Sequence, residues 1–416
     1  MNLLTSIYYR SARPFLSDHL SSSSLLSCSR ETQAILLAKH LEYCRNNIPM
    51  YRCTIPVGPD PFENLSRVPV FDKRKYSANS PEACAENIEG TRIDNTSGTS
   101  GQSFAFRVTK TEIGIRKVYE ELANQLLGLD PGQRYLQIWG GHESESFTQG
   151  LRNRIYDYVT GRQLIIVKGV DNHSLERTKA AVQRHAGGVL ITYPSILHGL
   201  CKYSGLSFVL QAYRSIILTG EAVNYAEYEA YSVAENLKNR YGSREFGVIG
   251  IADQGSMRYF ASKYIVENSE EHGLLVTDLT KRAMPMLRYP IGDFADASHR
   301  MASRNPAIDT MAHLGRLAGR VMDVLRGRSG ACYMGTFWTL TMRKKVGINQ
   351  FRLVQNDEQL EVHYVGNQDP GDVKDILDAE THGDFDFVPI KRDAIPELRN
   401  AKQKIVERRP SPATNG

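Results

Sequence analysis

The chain has 416 residues, 41% hydrophobic and 23% charged, which suits a globular protein of two or three domains and excludes fibrous and wholly disordered classes. Fifty-one Lys and Arg against 46 Asp and Glu leave a formal net charge of +5, with no basic run dense enough to track a nucleic acid. No apolar run approaches the ~18 residues that cross a bilayer, and the six cysteines form no Cys-x-x-Cys pair, so neither a zinc site nor a disulfide framework is signalled and a reducing cytoplasm is the expected location.

Residues 1–30 read as a loosely ordered arm. Arg10, Arg13 and the serines from Ser17 onward suggest a targeting peptide, but Asp18 and the lack of a continuous apolar core speak against one. From about Glu31, the residues Ile35, Leu36, Leu37, His40, Leu41 and Cys44 recur at helical spacing until Asn46-Asn47-Ile48-Pro49 stops them. The next informative stretch is Asn95-Thr96-Ser97-Gly98-Thr99-Ser100-Gly101-Gln102-Ser103, followed by a strand to Val108. Its glycines allow sharp turns and close approach, and its N–H groups and hydroxyls can surround a polyphosphate. A plain Ser/Gly surface loop has the same composition, so context must decide. A P-loop needs Gly, four intervening residues, then Gly-Lys-Ser/Thr; here only two residues separate Gly98 from Gly101 and Gln102 stands in the place of lysine.

Thr109 three residues before Glu112 makes a capping box, opening a helix that runs to Leu127. Strands are expected at 135–140, 162–168, 189–192 and 215–218, with helical stretches between them, which implies an α/β fold with a largely parallel sheet. Ligands in such folds bind where the strands end. That selects Trp139-Gly140-Gly141-His142, Tyr193-Pro194-Ser195 and Thr219-Gly220-Glu221-Ala222, although His142 and Tyr193 equally suit partly buried structural positions. Glu245, bracketed by Gly242 and Gly247, is the kind of single carboxylate that Mg2+ takes beside phosphate oxygens. Asp293 can accept two hydroxyls, Arg320 offers a rigid fork of donors, and Arg288 equally suits a structural ion pair. Beyond residue 320, strands at 329–341, 351–355 and 360–365 with a helix at 372–379 point to a small α+β domain.

Five segments in series resemble those of the adenylate-forming enzymes: the loop just quoted, Tyr241-Gly242-Ser243-Arg244-Glu245, Leu275-Val276-Thr277-Asp278, Met284-Pro285-Met286-Leu287-Arg288-Tyr289-Pro290-Ile291-Gly292-Asp293, and Gly319-Arg320-Val321-Met322-Asp323. The wording of the fourth, and Leu218-Thr219-Gly220-Glu221, is most similar to the phenylacetate-CoA ligase and CapK-like branch. The resemblance extends loosely over residues 35–405. It implies a large N-terminal adenylate-forming domain with mostly parallel sheets and helices over 31–320, and a small mobile α+β domain over 321–416 hinged near Asp323.

By that resemblance, Thr96, Ser97, Gly98, Thr99, Ser100 and Gly101 cradle the phosphates of ATP, with Tyr241, Gly242 and Arg320 also on the nucleotide. Gly220 and Glu221 lie by the adenine, Asp293 binds the ribose, and Glu245 ligates Mg2+. Trp139, His142, Tyr193 and Phe246 border the acid, and the aromatic ones favour a flat or aromatic acid. Lys402, aligned on Ile405-Val406, steadies the carboxylate and α-phosphate. The implied reaction is activation of a small carboxylic acid as an acyl adenylate, then transfer to a thiol, most simply coenzyme A, with an amine or a carrier protein as alternative acceptors. No nucleic-acid or membrane partner is expected, and the protein acts as a monomer or homodimer. Gln102-Ser103 replaces the usual Lys-Pro, Ala401 replaces a glycine, and the zinc-binding cysteines of some relatives do not follow Glu245. The first two departures suggest a nucleotide-binding relative without catalysis; retention of Glu245, Asp293, Arg320 and Lys402 argues for the enzyme.

Overall fold

The computed structural model describes residues 25–395 and 406–408, apart from 79, 87, 96–103, 141–146, 168–171, 204–205, 222, 224–225, 230, 270, 299, 319–324, 334–336, 339–340, 349 and 357–358. Of the expected N-terminal arm, only residues 25–30 are described, and there Leu25 is buried with its carbonyl accepting from Ser262 Oγ at 2.8 Å. Helix α1 (Arg30–Asn47) is capped by the Ser29 side chain on Thr32 N, buries Leu36, Leu37, His40, Leu41 and Cys44, and ends before a short turn at Pro49–Tyr51. Proline cannot continue the helix ladder, so the chain turns there.

Strands β1 (Arg92–Asn95) and β2 (Ala105–Val108) pair antiparallel, Asn95 opposite Ala105, so the Ser/Thr/Gly stretch connects a hairpin. The capping box forms in α2 (Lys110–Leu126): Thr109 Oγ1 accepts from Glu112 N at 3.1 Å and Thr109 N donates to the Glu112 carboxylate at 2.6 Å. The same carboxylate accepts from the backbone of Arg282 and Ala283, so one buried acid both starts the helix and fastens it to a distant loop.

The main sheet contains nine strands among the described residues, in the order β13-β14-β9-β8-β7-β6-β5-β3-β4. Its parallel half comprises β3 (Tyr135–Gly140), β4 (Arg162–Val167), β5 (Val189–Thr192), β6 (Ser215–Thr219) and β7 (Leu237–Ser243). Helices α3 (Phe147–Thr160), α4 (Asn172–Arg184) and α5 (Pro194–Tyr203) intervene. Covered on both faces, β5 is buried at every position, as parallel strands require. Beyond β7 the sheet is antiparallel through β8 (Gly247–Ala252), β9 (Met257–Tyr259), β14 (Ala312–Ala318) and β13 (Phe294–Asp296). A separate antiparallel sheet holds β10 (Tyr264–Ser269), β11 (Gly273–Asp278) and β12 (Tyr289–Pro290).

The C-terminal region has a core of its own. Strands β15 (Leu325–Arg326) and β16 (Cys332–Tyr333) pair, and a four-stranded sheet follows in the order β19-β18-β17-β20. Its members are β17 (Gln350–Asn356), β18 (Gln359–Val365), β19 (Asp386–Lys391) and β20 (Val406–Arg408), with α6 (Pro370–Thr381) before β19. The strand expected over 329–341 is a correction: among the described residues of that stretch only Cys332–Tyr333 is extended, and a helical turn occupies Thr341–Val346. Consecutive Phe337 and Trp338 are both buried in one core, their rings 5.1 Å apart, whereas a strand would send them to opposite faces. No helix of the described residues is long and apolar enough to cross a membrane.

Candidate active site

The turn between β7 and β8 carries Glu245, and its shape is set by backbone contacts. A Cβ at Gly242 would lie 2.2 Å from the Gly247 carbonyl oxygen, so only glycine lets the two strands close here. The turn's carbonyls are held from below. Arg116 on α2 donates to the carbonyls of Arg244 (3.3 Å) and Glu245 (2.5 Å). Lys263 Nζ (3.0 Å) and Tyr264 Oη (2.6 Å) both donate to the Phe246 carbonyl. Asp94 on β1 joins the cluster, 3.0 Å from Arg244 Nη2 and 3.9 Å from Arg116 Nη1, which ties the β1–β2 hairpin to this turn.

Lys263 is fully buried and 3.6 Å from Asp278 Oδ2; burial outweighs that partner and pulls the ammonium down to about 8. Lys281 is also buried, with its Nζ 4.8 Å above the Phe106 ring and without a hydrogen-bond partner among the described residues. Burial, then Arg116, lowers it to about 8, while Glu112, Asp278 and Glu245 favour its charged form. Across the sheet, Tyr241 Oη donates to Asp293 Oδ2 at 2.8 Å, and the buried Asp293 is further fixed by Leu274 N on its carbonyl.

On the parallel half, the end of β3 meets the residues that follow β5 and β6. The Trp139 and Tyr193 rings lie 4.5 Å apart. Gly220, at φ +80°, passes against Tyr193 so closely that a Cβ would fall 2.8 Å from Cε1. Glu221 accepts from both Ser195 N (2.8 Å) and Ser195 Oγ (2.9 Å), capping α5 and locking the second loop to the third. Burial pushes this carboxyl up to about 7, against the pull of the two Ser195 bonds.

Thus Trp139, Tyr193, Gly220 and Glu221 come together, and Tyr241 meets Asp293, with Gly242 and Glu245 in the same β7–β8 hairpin as Tyr241. Phe246 is fully buried, its ring against Tyr264 and Tyr289 and its carbonyl held by Lys263 and Tyr264. Arg288 is structural, its Nε 3.1 Å from both oxygens of Glu267 and its Nη1 on the carbonyls of Ser66 and Val68. Thr96, Ser97, Gly98, Thr99, Ser100, Gly101, His142, Arg320, Asp323 and Lys402 lie outside the described residues. Sequence reading missed Arg116, Lys263 and Lys281. The one available signal was a lysine inside an apolar run at Phe260-Ala261-Ser262-Lys263-Tyr264-Ile265-Val266.

No family model and no curated protein matches the sequence. Among solved structures, the chain is similar to a 2-hydroxyisobutyryl-CoA ligase in complex with 2-HIB-AMP and CoA in the thioesterification state, with TM-score 0.58 and 14% identity over 92% of each chain. The same ligase in the postadenylation state with R3-HIB-AMP gives TM-score 0.55 and 13% identity, covering 91% of this chain and 90% of that one. The chain therefore shares the mixed α/β fold of that ligase. At this identity the likeness is one of fold, and the individual activity is a separate question.

Proposed function

We propose that the protein is an ATP- and Mg2+-dependent ligase of phenylacetate-CoA ligase or CapK-like type, which activates a carboxylic acid as its acyl adenylate and passes the acyl group to a thiol, most simply that of coenzyme A. The observation that carries this reading is the Tyr241–Asp293 hydrogen bond, which joins two of the resembling motifs 52 residues apart beside the clamped Glu245 turn. The residues present fit an anionic nucleotide and its metal. Lys281, buried, and Arg116, partly buried, provide positive charge by the hairpin, and Glu245 supplies the single carboxylate that Mg2+ takes beside phosphate oxygens.

In this reading bound Mg2+ neutralises phosphate charge. Glu245 holds it, Asp293 accepts from the ribose hydroxyls, and Gly220 with Glu221 flanks the adenine. Trp139, His142 and Tyr193 border the acid. Residues 96–101, Arg320 and Lys402 complete the phosphate and carboxylate contacts, with Asp323 as the pivot of the small domain. The acid's carboxylate oxygen attacks the α-phosphorus and pyrophosphate leaves; a thiol sulfur then attacks the acyl carbon and AMP leaves. Positioning and preorganised charge are what such chemistry needs.

Calorimetry with Mg-ATP, and a screen of carboxylic acids for pyrophosphate release with and without coenzyme A, test the proposal. Binding is expected, and Glu245→Gln is expected to slow adenylate formation by about 10²-fold or more. Wild-type protein that binds no nucleotide at millimolar Mg-ATP sinks the ligase reading.

A further inference from the structure

Two buried lysines stand near the Glu245 turn, and they are held differently. Lys263 Nζ donates to the Phe246 carbonyl at 3.0 Å and to Tyr264 Oη at 2.5 Å, with Asp278 Oδ2 3.6 Å away. Its charge is committed to holding the turn. Lys281 Nζ is buried without a hydrogen-bond partner among the described residues, with the Phe106 ring centre 4.8 Å away. Glu112, Asp278 and Glu245 favour its charged form, but the first two are engaged by other donors. Glu112 accepts from the backbone of Thr109, Arg282 and Ala283. Asp278 Oδ1 accepts from Thr280 N and Oγ1, while its Oδ2 faces Lys263.

An ammonium without a hydrogen-bond partner inside a protein is costly, and a single cation–π contact does not offset the lost water. Where that cost is borne is informative. Phe106 pairs with Asp94 in the β1–β2 hairpin, one register step from the Asn95–Ala105 pair at which the Ser/Thr/Gly connection begins. Arg116 lies 5.5 Å from the same ring and donates to the Glu245 carbonyl. Lys281 therefore stands where two segments meet that the proposed function assigns to the phosphates and the metal. The first of them lacks a charge: in P-loops a lysine close behind the glycine-rich stretch serves the outer phosphates, and here Gln102 has that place. A buried charge is poorly screened, so it acts across the interior on a ligand it need not touch.

We infer that Lys281 is the counter-charge for the outer phosphates of the bound nucleotide, supplied from inside the protein in place of the lysine that Gln102 replaces. The inference rests on the ligase reading above. It accounts for the contrast with Lys263: an internal acceptor on Lys281 would compete with the phosphates for its charge, whereas Lys263 serves the fold and is fully engaged.

The test measures Mg-ATP affinity by calorimetry and AMP affinity by displacement in wild type, Lys281→Met and Lys281→Gln, together with the denaturation midpoint of each. The ratio of ATP to AMP affinity is expected to fall about tenfold or more in both variants, the loss that one charged interaction gives, while AMP affinity stays at the wild-type value. The midpoint of Lys281→Met should be at or above that of wild type, because a buried charge without a hydrogen-bond partner gives way to an apolar chain of similar length. A purely structural lysine would behave otherwise: the midpoint would drop and ATP and AMP affinities would fall together. That pattern, or a ratio unmoved in both variants, overturns the assignment of Lys281 while leaving the ligase reading intact. Wild-type protein that binds no Mg-ATP overturns the ligase reading and the assignment with it.

Discussion

The two halves of the nine-stranded sheet hold their parts of the candidate site by different means. On the parallel half, Trp139, Tyr193 and Gly220 are positioned by side-chain packing, ring on ring and ring on bare backbone, with one carboxylate at Glu221 as a tie. On the antiparallel half, the Glu245 turn is positioned by buried donors on its carbonyls: Arg116, Lys263 and Tyr264. Packing against an aromatic ring leaves shape to be set by volume, and buried donors leave it to be set by charge. The proposed acid pocket and the proposed Mg2+ carboxylate should therefore fail differently when disturbed.

The largest effect is expected on the charged side. Lys263→Met leaves Asp278 buried with its Oδ2 partner gone and the Phe246 carbonyl with one donor fewer. About 3 kcal/mol of stability should be lost in chemical denaturation, and Mg-ATP binding should weaken with it. Equal weakening of acid binding and ATP binding would contradict the division between the halves. On the packed side, Gly220→Ala places a methyl at φ +80° and 2.8 Å from Tyr193 Cε1. A cost of about 2 kcal/mol is expected, with the acid's KM rising more than that of ATP; crystallography or Trp139 fluorescence should show the displaced ring pair.

The smallest effect concerns pH. Glu221 titrates near 7 in the folded chain and at the ordinary carboxylate value when unfolded, so the folded state holds the proton more tightly between those values. Its contribution therefore makes stability fall as pH rises from about 4.5 to 7, and then level off. Glu221→Gln should remove that slope, measured as the difference between variant and wild-type denaturation midpoints at pH 5 and pH 8. A difference that stays constant with pH would rule out Glu221 as the titrating group.

Much of the local architecture was legible because its causes are local. The capping box at Thr109 and Glu112, the stop at Pro49, and the buried runs of β3, β5 and β6 each follow from neighbouring residues. The 329–341 stretch was misread because Phe337 and Trp338 look like strand residues, whereas both are helical and share one core. The burial of Phe246 was not legible for a related reason: the groups that hold its carbonyl, Lys263 and Tyr264, are 17 and 18 residues away.

The sequence by itself determined which segments carry glycine, hydroxyl and carboxylate chemistry, and in what order, because backbone freedom and functional groups belong to individual residues. Tertiary structure alone decided which of those groups meet. Tyr241 reaches Asp293, Arg116 reaches the Glu245 turn, and Lys281 reaches Phe106 of the hairpin only because strand register and helix packing set distances between residues far apart in the chain. Charge works through such distances, and no single stretch of sequence contains them.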